Sequence, residues 1–176
     1  MAELWDVYDI DRKVTGKLVE RETYKFQKGE YHLITVAVLI NSQKQILIAK
    51  RSENKKRAPL KWELSGGGVR AGESSLQAIL RELTEEIGLK FSADEAILLK
   101  EAQKDEENGG GCFKDFWLFK TDIKAEDLIF PDKEATEAKW VTIDELLNMV
   151  DQDEIISGMD FGREDYEKAL KNIKIN

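Results

Sequence analysis

The segment from Gly67 to Leu89, GGVRAGESSLQAILRELTEEIGL, constrains this chain more than any other. Ser74 and Gln77 form an S-x-x-Q capping box, and Gly88 stands where a C-terminal helix cap belongs. Between them Leu76, Ile79, Leu80, Leu83 and Ile87 fall on one face, which predicts a helix over 75–87. Glu82, Glu85 and Glu86, spaced i, i+3, i+4, place three carboxylates on a shared face of that helix. Like charges at i,i+4 cost about 0.2–0.5 kcal/mol. Acids in the last turn meet the negative end of the helix dipole at about 0.3–1 kcal/mol each. Carboxylates set against both rules suggest a missing cation, and hard oxygen ligands suit Mg²⁺, with Mn²⁺ as the alternative. Just upstream, Ser65-Gly66-Gly67-Gly68 has no bulky side chain, so its backbone can approach a metal or a phosphate closely. The same residues also fit a solvated acidic helix face beside an ordinary turn, and taken alone they leave both readings open.

The rest of the chain sets the frame. Its 176 residues are 41% apolar and 35% charged, an ordinary globular composition that predicts one domain, 1–176, with 1–30 as an N-terminal strand extension. A net charge of -8 argues against binding duplex nucleic acid, which needs a basic footprint, but allows a phosphate-bearing small molecule reached through metal ions. Cys112 is the single cysteine, so no internal disulfide forms, and a reducing, cytoplasmic location is expected. The longest apolar run, Leu33 to Ile40, is far too short for a membrane span, and Met1 to Asp6 has no signal-peptide character. Short strands are expected at Leu4–Tyr8 and Lys17–Glu22, with Gly16 at a turn. Tyr31–Ile40 and Gln45–Lys50 read as a hairpin, followed by a basic loop from Ser52 to Lys61. Further strands are expected at Ala96–Leu99 and Phe113–Phe119. Helices are expected from the Thr142/Glu145 capping box through Val150, and from Glu164 to Ile173. Strands mixed with two or three helices indicate an α/β layered domain.

The glycine–helix segment resembles the Nudix box, G-x5-E-x7-R-E-U-x-E-E-x-G-U with U aliphatic. Gly67, Glu73, Arg81, Glu82, Leu83, Glu85, Glu86, Gly88 and Leu89 complete the pattern. The resemblance implies a mixed β-sheet sandwiched between helices, with a loop–helix–loop metal site. It implies hydrolysis of the diphosphate linkage of a nucleoside diphosphate derivative, in a small-molecule substrate, with a homodimer left open. By similarity Glu82 and Glu86 ligate metal with the backbone carbonyl of Gly66, and Glu85 is a third ligand or the general base. Glu73 and Arg81 pair to hold the loop against the helix. Some members draw a base or ligand from a loop glutamate six residues before a tryptophan. Glu134 stands six before Trp140, with Glu137 as the competitor. Arg51, Arg70, Gly67 and Gly68 are candidates for contacting the substrate and its phosphates, as is Lys50.

Two other readings come with the family. The N-terminal half resembles the subgroup related to isopentenyl-diphosphate isomerase, in which a strand histidine matching His32 ligates metal. The catalytic cysteine and next histidine of that enzyme fall here at Gly66 and Gly68, and its later acids around 109–111. A non-catalytic nucleotide-sensing Nudix domain would be expected to lose acids of the box, and this chain keeps them all. Asp105 stands where a proline would have pointed to ADP-ribose. Phe113, Phe116, Trp117 and Phe119 read as core rather than as a wall for stacking a base. Phe116 and Trp117 must face opposite ways if the segment is a strand.

Overall fold

The computed structural model describes residues 2–107, 110–156 and 160–173. The most apolar stretch is strand β3 (Tyr31–Ile40), which runs parallel to β8 (Gly111–Lys120) in continuous register from Tyr31↔Gly111 to Ile40↔Lys120. The other edge of β3 is shared along its length. Tyr31 pairs with β1 (Leu4–Tyr8), residues 34–36 with β6 (Gly66–Gly68), and Ile40 with β4 (Ile46–Arg51). The sheet extends through β2 (Val14–Glu20) on β1, and through β5 (Trp62–Glu63) and β9 (Ala135–Val141) on β4. β7 (Ile97–Asp105) forms an antiparallel hairpin with β8.

Side chains on successive residues of a strand leave opposite faces, and here both faces are buried. Ala37 and Leu39 join Leu47, Ala49 and Phe119 beneath Ile79, Leu83 and Ile87 of α1 (Ser75–Ile87). Val38 and Ile40 join Ile46, Ile48, Phe116 and Leu118 on the other face. They meet Leu146 and Met149 of α2 (Ile143–Asp151) and Tyr166 and Ala169 of α3 (Arg163–Asn172). The architecture is the expected mixed sheet between helices. Phe116 and Trp117 do point to opposite faces, and Phe113, Phe116 and Phe119 are spent on core packing.

Two local expectations are corrected. Gly16 is not at the turn, which lies at 9–13, but inside β2, where a positive φ of 83° accompanies a register shift against β1 between Asp6 and Tyr8. The strands β5, β6 and β9 were not expected, because two or three residues show no periodicity, and β9 mixes apolar and polar residues without strict alternation. Both capping boxes form as read. Ser74 accepts from the Gln77 amide at 3.2 Å, and Thr142 accepts from the Glu145 amide at 3.2 Å. Among the described residues no helix is long and apolar enough to cross a membrane.

Candidate active site

Pairing with β3 draws the glycine segment into the sheet beside α1. Each glycine there is fixed by a different neighbour. A Cβ at Gly66, whose φ is +153°, would fall on the Thr35 carbonyl oxygen, backbone that cannot yield. At Gly67 it would stand 2.6 Å from Glu82 Oε1, and at Gly68 it would enter the Trp5 indole. Glycine therefore lets this strand lie against a carboxylate and an aromatic ring at once.

The three helix carboxylates are graded by depth. Glu86 is buried at 6% exposure, and its Oε2 accepts from the Gly66 amide at 3.0 Å. Burial first, then the Glu63 and Glu82 charges, push its carboxyl well above the usual range. Burial also raises Glu82, against the opposing pull of Arg81. Glu85 is the most open of the three, with its side chain 42% exposed. Arg81 organises the group. It forks onto Glu73 at 2.9 Å through both Nε and Nη2, and Nη2 also donates to the Gly68 carbonyl at 3.2 Å. Its Nη1 reaches Glu82 at 2.6 Å and Glu85 at 3.2 Å. Burial opposes the guanidinium charge, but Glu73 and Glu82 outweigh it and hold the group above its ordinary value. The expected Glu73–Arg81 pair is thus present, and it ties loop to helix.

As placed, no three Asp, Glu, His or Cys side chains converge to hold a metal ion among the described residues. The loop–helix frame is formed, with Glu82 and Glu85 accepting from Arg81 and Glu86 accepting from the Gly66 amide. The chemistry of the donor set still fits a hard cation. Glu86 and Glu82 are crowded carboxylates with raised affinity for a proton, and a cation relieves the same repulsion.

Three further residues belong to this neighbourhood and were not singled out by sequence. Glu63, on β5, is a buried acid whose charge acts on Glu86 and whose carboxylate takes Arg51 Nη1 at 2.7 and 2.8 Å. Lys55, in the basic loop, pairs with Glu134, and its charge acts on Glu63 and Glu86. The backbone amide of Asp132 donates to the Glu85 carbonyl at 3.2 Å, and burial raises its carboxyl. Of these, only Lys55 fell within a feature read from the sequence, the basic loop from Ser52 to Lys61.

The other candidates are distributed unevenly. Glu134 precedes β9, and its charge acts on both Glu63 and Asp132. Glu137 lies on β9 with its side chain 3.6 Å from Lys50, which is thereby paired on the sheet. Arg51 is engaged on all sides, since Nε and Nη2 donate to the Arg57 carbonyl in addition to the Glu63 pair. Arg70 is held more loosely, 3.4 Å from Glu85 and 3.8 Å from Glu3. Asp105 ends β7 and accepts from the Tyr31 hydroxyl at 2.9 Å.

His32 is stacked on Trp5 at a centroid distance of 4.6 Å and packed against Phe26 at 4.8 Å. Burial lowers its pKa to about 4, a backbone hydrogen bond with Gly111 opposes this, and the charges of Arg21, Lys114 and Arg57 add to the lowering. The folded chain therefore binds the proton less well than the unfolded chain, whose histidine titrates near pH 6.5. The contribution of neutral His32 is complete above that pH and is lost as pH falls from about 6.5 to 4, a loss on the order of 3 kcal/mol. Urea denaturation of wild type and His32→Phe across this window should show the wild type losing more stability on acidification. Parallel losses would show that His32 is not the titrating group.

A NUDIX domain model matches residues 30–157. A Nudix hydrolase of Listeria monocytogenes is 34% identical over 145 residues, 82% of each chain. An RNA pyrophosphohydrolase of Ruthia magnifica is 38% identical over 74 residues, 42% of this chain and 35% of the relative. Among solved structures, a protein of Deinococcus radiodurans superposes with a TM-score of 0.74 at 23% identity, covering 89% of this chain and 93% of that one. The NUDIX domain of Shewanella oneidensis NrtR, complexed with ADP ribose, gives 0.61 at 18% identity over 88% and 93%. The chain belongs to the Nudix hydrolase family.

Proposed function

We propose that this Nudix hydrolase uses Mg²⁺ to cleave a diphosphate linkage in a nucleoside diphosphate derivative. The observation that carries the reading is the buried Glu86 carboxyl, crowded by Glu63 and Glu82 at the end of a helix whose dipole opposes it. A chain keeps such an arrangement at a cost in stability, and a divalent cation offsets it. Glu82, Glu86 and the Gly66 carbonyl would hold that ion, with Glu85 as a further ligand. When bound, Mg²⁺ supplies charge neutralisation for the diphosphate oxygens and Lewis acidity for the attack of water on phosphorus.

The protein's own groups provide the remainder. Glu85 or Glu134 accepts the proton of the attacking water at a carboxylate oxygen, and both are open enough to do so. Arg70 is free to exchange its long contacts with Glu85 and Glu3 for substrate phosphate oxygens, and the Gly67–Gly68 backbone lets a phosphate approach without a side chain between. Arg51 serves the site through Glu63, with which it pairs at 2.7 Å and whose charge acts on Glu86. The pyrophosphohydrolase activity named for a relative is consistent with this chemistry. Isomerase chemistry is disfavoured by glycine at positions 66 and 68 and by the stacking of His32 against Trp5. A phosphate-release screen over nucleotides, nucleotide sugars and dinucleoside polyphosphates, with Mg²⁺ and with excess chelator, tests the proposal. Hydrolysis that disappears with chelator is expected. Turnover that persists without any divalent ion would overturn it.

A further inference from the structure

Arg70 is carried by the turn that links β6 to α1, and each backbone amide from Val69 to Glu73 has a partner. The Val69 amide donates to the Leu33 carbonyl of β3 at 2.9 Å, and the Arg70 amide donates to Glu73 Oε2 at 3.1 Å. The Ala71 amide donates to the Leu4 carbonyl and the Gly72 amide to Asp6 Oδ2, both at 2.8 Å. The Glu73 amide closes the turn onto the Arg70 carbonyl at 3.0 Å. Two of these bonds end on β1, a strand that lies ahead of the residues matched to the family. Among the described residues β1 pairs with β3 only at Tyr8↔Tyr31, so its backbone near Leu4 is left to bond elsewhere on that side.

Packing does not hold the tip of the turn. Gly72 has a φ of +81°, and a Cβ there would meet nothing within 4 Å. The two hydrogen bonds to β1 therefore fix it, and of these only the Asp6 bond is made by a side chain. β1 is itself anchored at the site, since Trp5 lies against Gly68 and its Nε1 donates to Glu3 at 2.8 Å. The Arg70 guanidinium is bracketed by the two layers, 3.8 Å from Glu3 of β1's approach and 3.4 Å from Glu85 of α1. With its side chain 42% exposed and no tighter ion pair among the described residues, where it can reach is set by where the turn holds its backbone.

We propose that Asp6 is a positioning residue for the diphosphate site: by holding the turn through the Gly72 amide, it sets the Arg70 guanidinium where substrate phosphate oxygens can take it over from Glu85 and Glu3. The role of Arg70 rests on the diphosphate-hydrolase reading, and its control by a strand far from the glycine–helix segment goes beyond that reading. What the turn needs from residue 6 is an acceptor at that point rather than a charge. Asparagine supplies the acceptor, alanine supplies none, and glutamate keeps the charge but carries it one methylene further out.

Calorimetric titration of the full-length protein with methylenediphosphonate at saturating Mg²⁺ reads the contact without turnover. Arg70→Gln should weaken binding about tenfold, as expected for one charge-assisted contact, and Asp6→Ala about three- to tenfold. Asp6→Asn should bind like the wild type, and Asp6→Glu like the alanine variant. In the Arg70→Gln background Asp6→Ala should cost nothing further, because no guanidinium is left to aim. In turnover of the diphosphate found by phosphate release, KM should rise by the same factors while kcat stays within about twofold. A thermal melt of each variant separates loss of aim from loss of fold, and if Asp6→Ala does not fold, Asp6→Glu carries the test. Unchanged diphosphonate affinity in Arg70→Gln or in the folded Asp6 variants would overturn the role of Asp6. So would an asparagine variant as weak as the alanine one, or a loss that persists without Arg70. Mg²⁺-dependent hydrolysis alongside any of these results leaves the hydrolase reading in place. Arg70-dependent effects of Asp6 on diphosphonate binding, with no diphosphate hydrolysed, would support the aiming role and overturn the hydrolase reading. Absence of both binding and hydrolysis would overturn the two together.

Discussion

Replacing Glu86 by Gln is expected to cut hydrolytic turnover by about a hundredfold or more, while leaving the chain folded and at least as resistant to heat as the wild type. Glutamine keeps an acceptor for the Gly66 amide at nearly the same volume, so the glycine strand stays in register. What disappears is a buried charge that burial, Glu63, Glu82 and the helix dipole all disfavour. Added Mg²⁺ should raise the melting temperature of the wild type by mass action and do so less in the variant. Phosphate release and calorimetry on the same preparations check both halves. Near-full activity in Glu86→Gln would remove Glu86 from the metal site. A large loss of heat stability would instead mark it as a structural acid whose charge the fold needs.

The opposite sign is expected one turn earlier on the helix. Arg81→Met should destabilise the protein by about 3–5 kcal/mol, because it leaves the partly buried carboxylates of Glu73 and Glu82 without their shared cation. For a chain of this length that corresponds to a fall in melting temperature of about 6–20 °C. The loss should shrink in the double variant Arg81→Met/Glu73→Gln, since one stranded charge is then gone, and the two substitutions should couple strongly in a double-mutant cycle. An unchanged melting temperature in Arg81→Met would show that the guanidinium bridge between loop and helix contributes nothing measurable. The two predictions together separate the acid kept for a cation from the cation kept for the acids.

Much of the scaffold was legible in the sequence because it is written locally. Ser74, Gln77 and Gly88 mark the ends of α1, and the strands Leu4–Tyr8 and Tyr31–Ile40 have the expected bounds. The pairing of Arg81 with Glu73 followed from family resemblance, and the structure contains it. The missed elements are those whose existence depends on a distant partner. β6 is three glycines made into a strand by Ile34–Val36, and β9 is a mixed segment of no strict alternation made into one by β4.

The same distinction divides the site. Sequence alone determined the helix and the three carboxylates on one face, because caps, periodicity and an i, i+3, i+4 spacing are properties of a few neighbouring residues, and the resemblance of that same segment to the Nudix box pointed to the family. Only the tertiary structure decided the inequality among those carboxylates, with Glu86 buried, Glu82 held by Arg81 and Glu85 left open. It alone brought Glu63, Lys55 and Asp132 to the carboxylates and committed Arg51 to Glu63. It also set Leu4 and Asp6 of β1 against the turn that carries Arg70. Burial and charge–charge coupling depend on what the rest of the chain packs alongside, and these contacts join segments far apart in sequence. No local pattern records them.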